Sequence, residues 1–241
     1  MPTVYDLADL LAPRLDRARY HREGDPAGVW VGSGREVARL GLRLDAGRPD
    51  GARYGWAEGL DAVLVHRPFG LWPARLPPGL GVLAAHRALD DRLSVGHNPA
   101  LAAALGLAPI GAPLRRGGLP VGLVGALAAP APAAAVEARV VAVLGGAEEA
   151  IGDAAAVASF VALAGAMTPE LVAAAAERGA GVYVTGQLRP RARRAAELAG
   201  LRVVAVGQAR AEAWGLRHLG AAVRERWPSI EVVELGLPPR S

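Results

Sequence analysis

Leu60-Asp61-Ala62-Val63-Leu64-Val65-His66-Arg67-Pro68-Phe69-Gly70-Leu71-Trp72-Pro73 is the stretch on which the fold turns. Ala62 to Val65 is a compact apolar run of β-prone residues, which predicts a strand buried on both faces. The run passes directly into His66 and Arg67, and Pro68, Gly70 and Pro73 then forbid regular continuation. An imidazole and a guanidinium therefore stand side by side at the end of a buried strand. In open α/β sheets ligands bind at such strand ends. A histidine and an arginine capping the strand in solvent is the alternative reading.

Strand and helix patterns alternate on both sides of this stretch, which argues an α/β class. Thr3 is placed to cap a helix with Val4, Leu7, Leu10 and Leu11 on one face, and Val37 to Leu44 alternates toward a strand that ends at Asp45. A short helix is expected at Gly55 to Gly59, a strand at Gly81 to Ala85 and a helix at Pro99 to Leu107. Residues 111–132 are dense in glycine and proline and read as a connection between two domains. The first domain covers residues 1–115 and is completed by about residues 200–241; the second covers residues 130–200. Ala133 to Leu144 reads as a helix by alanine content, with Val140, Val141 and Val143 leaving a strand open. Further strands are expected at Ser159 to Ala164, Gly181 to Thr185, Val203 to Val206 and Ile230 to Leu235. Helices are expected from Thr168 to Arg178, Arg191 to Leu198 and Ala211 to Arg226. Gly28, Gly32 and Gly34 read as ordinary turns, because no lysine-serine pair follows them.

The 241 residues are 52% hydrophobic but only 5% aromatic, so the core must be aliphatic. There is no cysteine, which excludes disulfides and thiolate metal sites. Every basic side chain is arginine, so the pI is near 10.2 although the formal charge is only +4, too little for a dedicated nucleic-acid binder. No signal peptide or spanning helix is expected, and the expected location is the cytoplasm.

Polar groups gather at the strand ends: His66 and Arg67, Asp90, Thr185 and Gly186, and then Gln208 and Glu212. Gln208 and Glu212 are four residues apart and share a face if the helix begins near Gly207. Histidine, aspartate and glutamate from separate elements form a donor set suited to a metal. The run Arg189-Pro190-Arg191-Ala192-Arg193-Arg194 reads either as a solvated helix start or as a phosphate or nucleic-acid contact.

Several segments together resemble the Nif-three-like dinuclear metal-centre hexameric proteins, also called GTP cyclohydrolase I type 2 homologs. Asp25-Pro26-Ala27-Gly28-Val29-Trp30-Val31-Gly32 is similar to the family's Asp-Asn-Val-Gly-Leu-x-Val-Gly. Val65-His66-Arg67-Pro68-Phe69 stands where the family has His-His-Pro, and His86-Arg87-Ala88-Leu89-Asp90 is similar to His-x-x-Leu-Asp. Gly179 to Gln187 resembles Gly-Ala-Asp-x-Tyr-x-Thr-Gly-Glu, and Gly207 to Gly215 resembles Gly-His-x-x-x-Glu-x-x-Gly.

The resemblance implies two interlinked α/β domains with mixed sheets, in a fold that assembles as a toroidal homohexamer, a trimer of dimers. Helices such as Pro99 to Leu107 would supply subunit surface. It also implies a two-metal site of the type His, His, Asp, His, Glu. The matching positions here hold His66, Arg67, Asp90, Gln208 and Glu212, so two imidazoles are replaced. Gln187 replaces a glutamate, and Arg189 and Pro190 stand where the family often has histidines.

The expected ligands are therefore His66, Asp90 and Glu212, with Gln208 as a weak oxygen donor and Asp45, Arg67, Thr185 and Gly186 lining the site. At most one divalent ion per chain (Zn, Fe, Mn or Mg) is expected, weakly held. Arg67, a permanent cation, is placed to offset Asp90 or Glu212. Two functions follow: a metal-dependent hydrolase of nucleotide-like substrates with a degenerate site, or a non-catalytic ring that binds nucleotide or nucleic acid through Arg189, Arg191, Arg193 and Arg194. Membrane partners are not expected.

Overall fold

The computed structural model describes residues 1–22, 24–48 and 53–239. In chain order, α1 (Val4–Leu15) and α2 (Arg17–Arg22) precede β1 (Gly28–Val31), β2 (Arg39–Asp45), β3 (Ala62–Arg67), β4 (Gly81–Ala84) and α3 (Arg87–Arg92). Then come α4 (Pro99–Ala104), β5 (Leu107–Arg116), β6 (Leu119–Pro132), α5 (Ala133–Leu144), β7 (Glu149–Ile151), β8 (Val157–Ala164) and α6 (Pro169–Glu177). The chain ends with β9 (Ala180–Thr185), α7 (Pro190–Leu198), β10 (Arg202–Ala205), α8 (Gln208–Arg226) and β11 (Glu231–Glu234). Two compact units result, Met1–Leu89 with Gly215–Leu237, and Asp90–Trp214 with Pro238–Ser241; their bounds fall inside α3 and α8. Both sheets are mixed, as the α/β reading expects.

In the first unit the sheet order is β1-β4-β3-β2-β11, with β1 antiparallel to β4 and the other neighbours parallel. The apolar run Ala62 to Val65 is thus the middle strand, and all four residues are buried. Val63, Val65 and Val82 join Tyr54, Leu60 and Leu80 in a core on one face. On the other face Leu42 is the register partner of Leu64, and Gly220 lets α8 approach so closely that a Cβ there would lie 2.8 Å from Leu42 Cδ1. Thr3 caps α1 through a capping box with Asp6, as its sequence position predicts. The short helix expected at Gly55 to Gly59 is a single 3-10 turn, Gly55–Ala57.

In the second unit the order is β5-β6-β8-β9-β10-β7. Strands β8, β9 and β10 are parallel, while β5, β6 and β7 add antiparallel edges. Residues 111–132 do not form a connection. They belong to the β5–β6 hairpin, which turns at Gly117 and Gly118 with φ of +56° and +80°. Positive φ at both central residues is what a two-residue hairpin turn needs, and glycine meets it without strain. The prolines are tolerated because β5 is an edge strand, because Pro120 and Pro130 of β6 fall outside its regular pairing with β8, and because Pro132, paired with Val157, is the last residue of β6.

Ala133 to Leu144 is the helix of the two readings left open, with Val136, Val140 and Leu144 packed into the core. Leu101, Ala102 and Leu105 of the α4 segment lie in that same core, so the apolar face expected to cover a neighbouring subunit is used inside the unit.

Truncating the middle strand tests this packing. Leu64 is 1% exposed, and Leu64→Ala should cost about 2–5 kcal/mol in chemical denaturation. Glu225→Ala, exposed near the end of α8, should be close to neutral.

Candidate metal site

The parallel register of β3 and β4 places His66 beside Ala85, and His66 Nδ1 lies 2.7 Å from the Ala85 carbonyl oxygen. A carbonyl can only accept, so Nδ1 carries a proton, and whenever the ring is neutral its lone pair is on Nε2. His66 is fully buried. Its ring stacks near that of His86, with centroids 5.4 Å apart, and Phe69 meets His86 edge-on at 4.9 Å.

His86 Nδ1 donates to Asp25 Oδ1 at 3.1 Å, and Asp25 also accepts the Arg87 and Ala88 N–H groups, the first two of α3. Those N–H groups have no partner within the helix itself. Burial alone would raise the pKa of Asp25, but the hydrogen bonds from His86, Arg87 and Ala88 outweigh it and hold the pKa below the ordinary carboxylate value. Asp25, three residues before β1, thereby anchors the helix that carries Asp90. Sequence reasoning assigned it no role.

At the far end of α3, Ser94 Oγ donates to the Asp90 carbonyl at 2.6 Å and His97 N–H donates to the Asp91 carbonyl at 2.7 Å. Gly96 is required between them, because a Cβ there would fall on the Asp91 and Asp90 carbonyls. Asp90 is partly exposed at this locked end.

Helix α8 begins at Gln208, so Gln208 and Glu212 share a face as their spacing predicts. Gln208 Nε2 donates to Glu212 Oε1 at 2.9 Å, while Gln208 Oε1 lies where a Cβ on Gly186 would stand only 2.6 Å away. The amide oxygen expected as a weak ligand thus faces Gly186, and Gln208 orients the buried Glu212. Thr185, buried beside Gly186, donates to the Gly165 carbonyl at 3.4 Å.

His66, Asp90 and Glu212 each offer a ligand atom, and these atoms lie within 4.8 Å of one another; the group could hold a metal ion. Arg67 pairs bidentately with Asp45, Nε to Oδ1 at 2.6 Å and a terminal nitrogen to Oδ2 at 3.0 Å. The parallel register of β2 and β3 makes these two residues direct partners. Asp45 thus holds the Arg67 guanidinium at the end of β3.

The arginine run divides. Arg193 is engaged by Glu149 at 3.3 Å and Glu197 at 3.4 Å. Arg189 and Arg191 instead line a cleft of about 760 Å³ with Arg116, a residue that sequence reasoning missed.

A model of the Duf34/NIF3 family (NGG1p interacting factor 3) matches residues 74–237, more than half of the chain. The chain belongs to the DUF34/NIF3 family. No curated protein matches it significantly. Among solved structures, the protein ybgI, of unknown function, aligns over 100% of both chains with TM-score 0.73 and 22% identity. The Bacillus cereus protein related to NIF3 covers 100% of this chain and 98% of its own, with TM-score 0.69 and 16% identity. Reduced HcgD from Methanocaldococcus jannaschii covers 98% of each chain, with TM-score 0.67 and 21% identity. At these identities the likeness is one of fold. The NIF3 fold is thus established for this chain together with a buried imidazole and two carboxylates. Among the described residues no helix is long and apolar enough to cross a membrane.

The anchoring by Asp25 has a pH consequence. Because its folded pKa lies below the ordinary 3.8, ionised Asp25 stabilises the fold above that value, and this stability is lost as pH falls through the folded pKa. Asp25→Asn should cost about 1–3 kcal/mol at pH 7 in urea denaturation, and its gap from wild type should narrow below about pH 4.

Proposed function

We propose that this NIF3-family chain is a metal-dependent hydrolase of nucleotide-like substrates that holds one divalent ion on His66, Asp90 and Glu212. The observation that carries the reading is the 2.7 Å hydrogen bond of His66 Nδ1 to the Ala85 carbonyl. Metal-binding histidines commonly donate their other ring N–H to a backbone carbonyl, which fixes the tautomer and directs the free lone pair at the ion. The donor set agrees, since one imidazole and two carboxylates suit Zn, Fe or Mn better than an all-oxygen Mg site. A divalent ion at these residues supplies Lewis acidity toward a substrate oxygen.

The chain's own residues do the rest. His66 is held in one tautomer by Ala85. Gln208 orients Glu212, and Gly186 leaves the room in which Gln208 sits. Asp25, Ser94 and Gly96 fix the helix that presents Asp90. The proposal does not extend to the GTP cyclohydrolase reaction, because Arg67 and Gln208 stand where the resembled family has imidazoles.

The proposed assembly is a homohexamer, a trimer of dimers. Its support is the family resemblance together with apolar side chains left exposed in the second unit, Val157 at 69% and Leu198 at 71%. Light scattering at micromolar concentration should give the hexamer mass; a monomer mass would contradict it.

Elemental analysis of protein purified without chelator should find no more than one metal per chain. A zinc titration should saturate at one site, which His66→Ala and Glu212→Gln abolish. Gly186→Ala should weaken binding several-fold without unfolding the chain, since the added methyl displaces the end of a flexible side chain. The double change Arg67→His with Gln208→His should raise the stoichiometry to two. Two tightly held ions in the wild type would refute the single-site reading.

A further inference from the structure

We propose that Arg116, Arg189 and Arg191 form a binding subsite for the phosphate of a small phosphomonoester, such as a nucleoside monophosphate. Arg116 ends β5 just before the glycine turn of the hairpin, Arg189 stands at the start of α7, and Arg191 lies in the first turn of that helix. Far apart in sequence, Arg116 and the α7 pair line one cleft of about 760 Å³, floored by the Gly165–Met167 turn.

The cleft gathers three arginines of the second unit in one place, whereas Arg115, Arg139 and Arg178 each donate to a backbone carbonyl. Arg193, Arg202 and Arg210 each meet a glutamate, at 3.3, 2.6 and 3.3 Å. Among the described residues no carboxylate lies within ion-pair distance of Arg116, Arg189 or Arg191. Against these three guanidiniums the cleft lining holds one carboxylate, Glu170. Clustered guanidiniums without an internal counter-ion suit an external anion, and arginine meets phosphate oxygens bidentately.

Position adds the second argument. A smaller pocket of about 180 Å³ is lined by Asp90, Asp91, Ser94, Gln208, Arg116, Arg189 and the Gly165-Ala166 turn, so the two cavities share both arginines and that turn, and Asp90 and Asp91 line only the smaller one. A phosphate on Arg116 and Arg189 stands beside the metal ligand Asp90 and beside Gln208, which orients Glu212. The cleft volume falls within the range typical of small-molecule sites. An extended nucleic acid would draw on the whole arginine run, but Arg193 is already engaged by Glu149 and Glu197. Binding of the phosphate rests on the arginines alone, whereas its role in hydrolysis rests on the metal reading above.

The test is calorimetric titration of the full chain with adenosine monophosphate, inorganic phosphate, adenosine and a ten-nucleotide oligothymidylate, each with and without chelator. Adenosine monophosphate should bind with or without chelator, more tightly than inorganic phosphate, and more weakly as salt rises; adenosine should not bind. Arg116→Gln and Arg189→Gln should each lower the affinity about tenfold with unchanged circular dichroism. Arg193→Gln should leave it unaltered.

Unchanged affinity in both Arg116→Gln and Arg189→Gln would overturn the proposal, as would no binding of either phosphate compound at millimolar concentration. Equal affinity for phosphate and the monoester would overturn its assignment to an ester. Tighter oligothymidylate binding that needs Arg193 would replace it with a nucleic-acid surface. Metal content measured on the same samples separates the two readings: phosphate binding by a chain that takes up no metal would sink the hydrolase and leave the subsite standing.

Discussion

The hydrogen bond from His66 Nδ1 to the Ala85 carbonyl ties the chemistry of the site to the register of a sheet. Ala85 follows β4, and its own N–H is bonded to Val65 O at 3.1 Å, so the two strands hold donor and acceptor in place. A slip of one residue would turn His66 to the opposite face of the sheet and exchange it for Arg67. The buried run before His66 is therefore more than core packing. Val63, Leu64 and Val65, with their neighbours on β2 and β4, decide which side chain, His66 or Arg67, meets the Ala85 carbonyl.

The carboxylates are held by different means. Asp90 sits on a helix of six residues that would be marginal by itself. It is pinned at one end by Asp25 and at the other by Ser94, the close-packed Gly96 and the His97 N–H. Glu212 sits in the second turn of a long helix and takes its orientation from Gln208, one turn earlier. Gln208 is thereby a support for that carboxylate. The same logic applies at Arg67, whose guanidinium completes a pair with Asp45 within the sheet.

Much of this was legible in the sequence because it depends on local spacing. The apolar run into His66, the four-residue step from Gln208 to Glu212 and the Thr168-Pro169 helix start each report a feature of one element. The misreadings concern groups that meet only in three dimensions. Asp25 reaches the N–H groups of α3 across more than sixty residues, and Arg193 finds Glu149 from an unrelated element. Arg116 was passed over because glycine and proline content made residues 111–132 look like a connection. The Gly117-Gly118 pair was the signal for a hairpin, and the prolines could be accommodated at an edge strand and at breaks in pairing.

The central claim is that one ion is held by the Nε2 nitrogen of His66 together with Asp90 and Glu212. Anomalous diffraction at the zinc edge, from crystals grown with the ion, tests it most directly. The account predicts one strong peak per chain, about 2.0–2.2 Å from His66 Nε2 and from a carboxylate oxygen of each acid. A peak remote from His66, or two peaks bridged by the carboxylates, would contradict it.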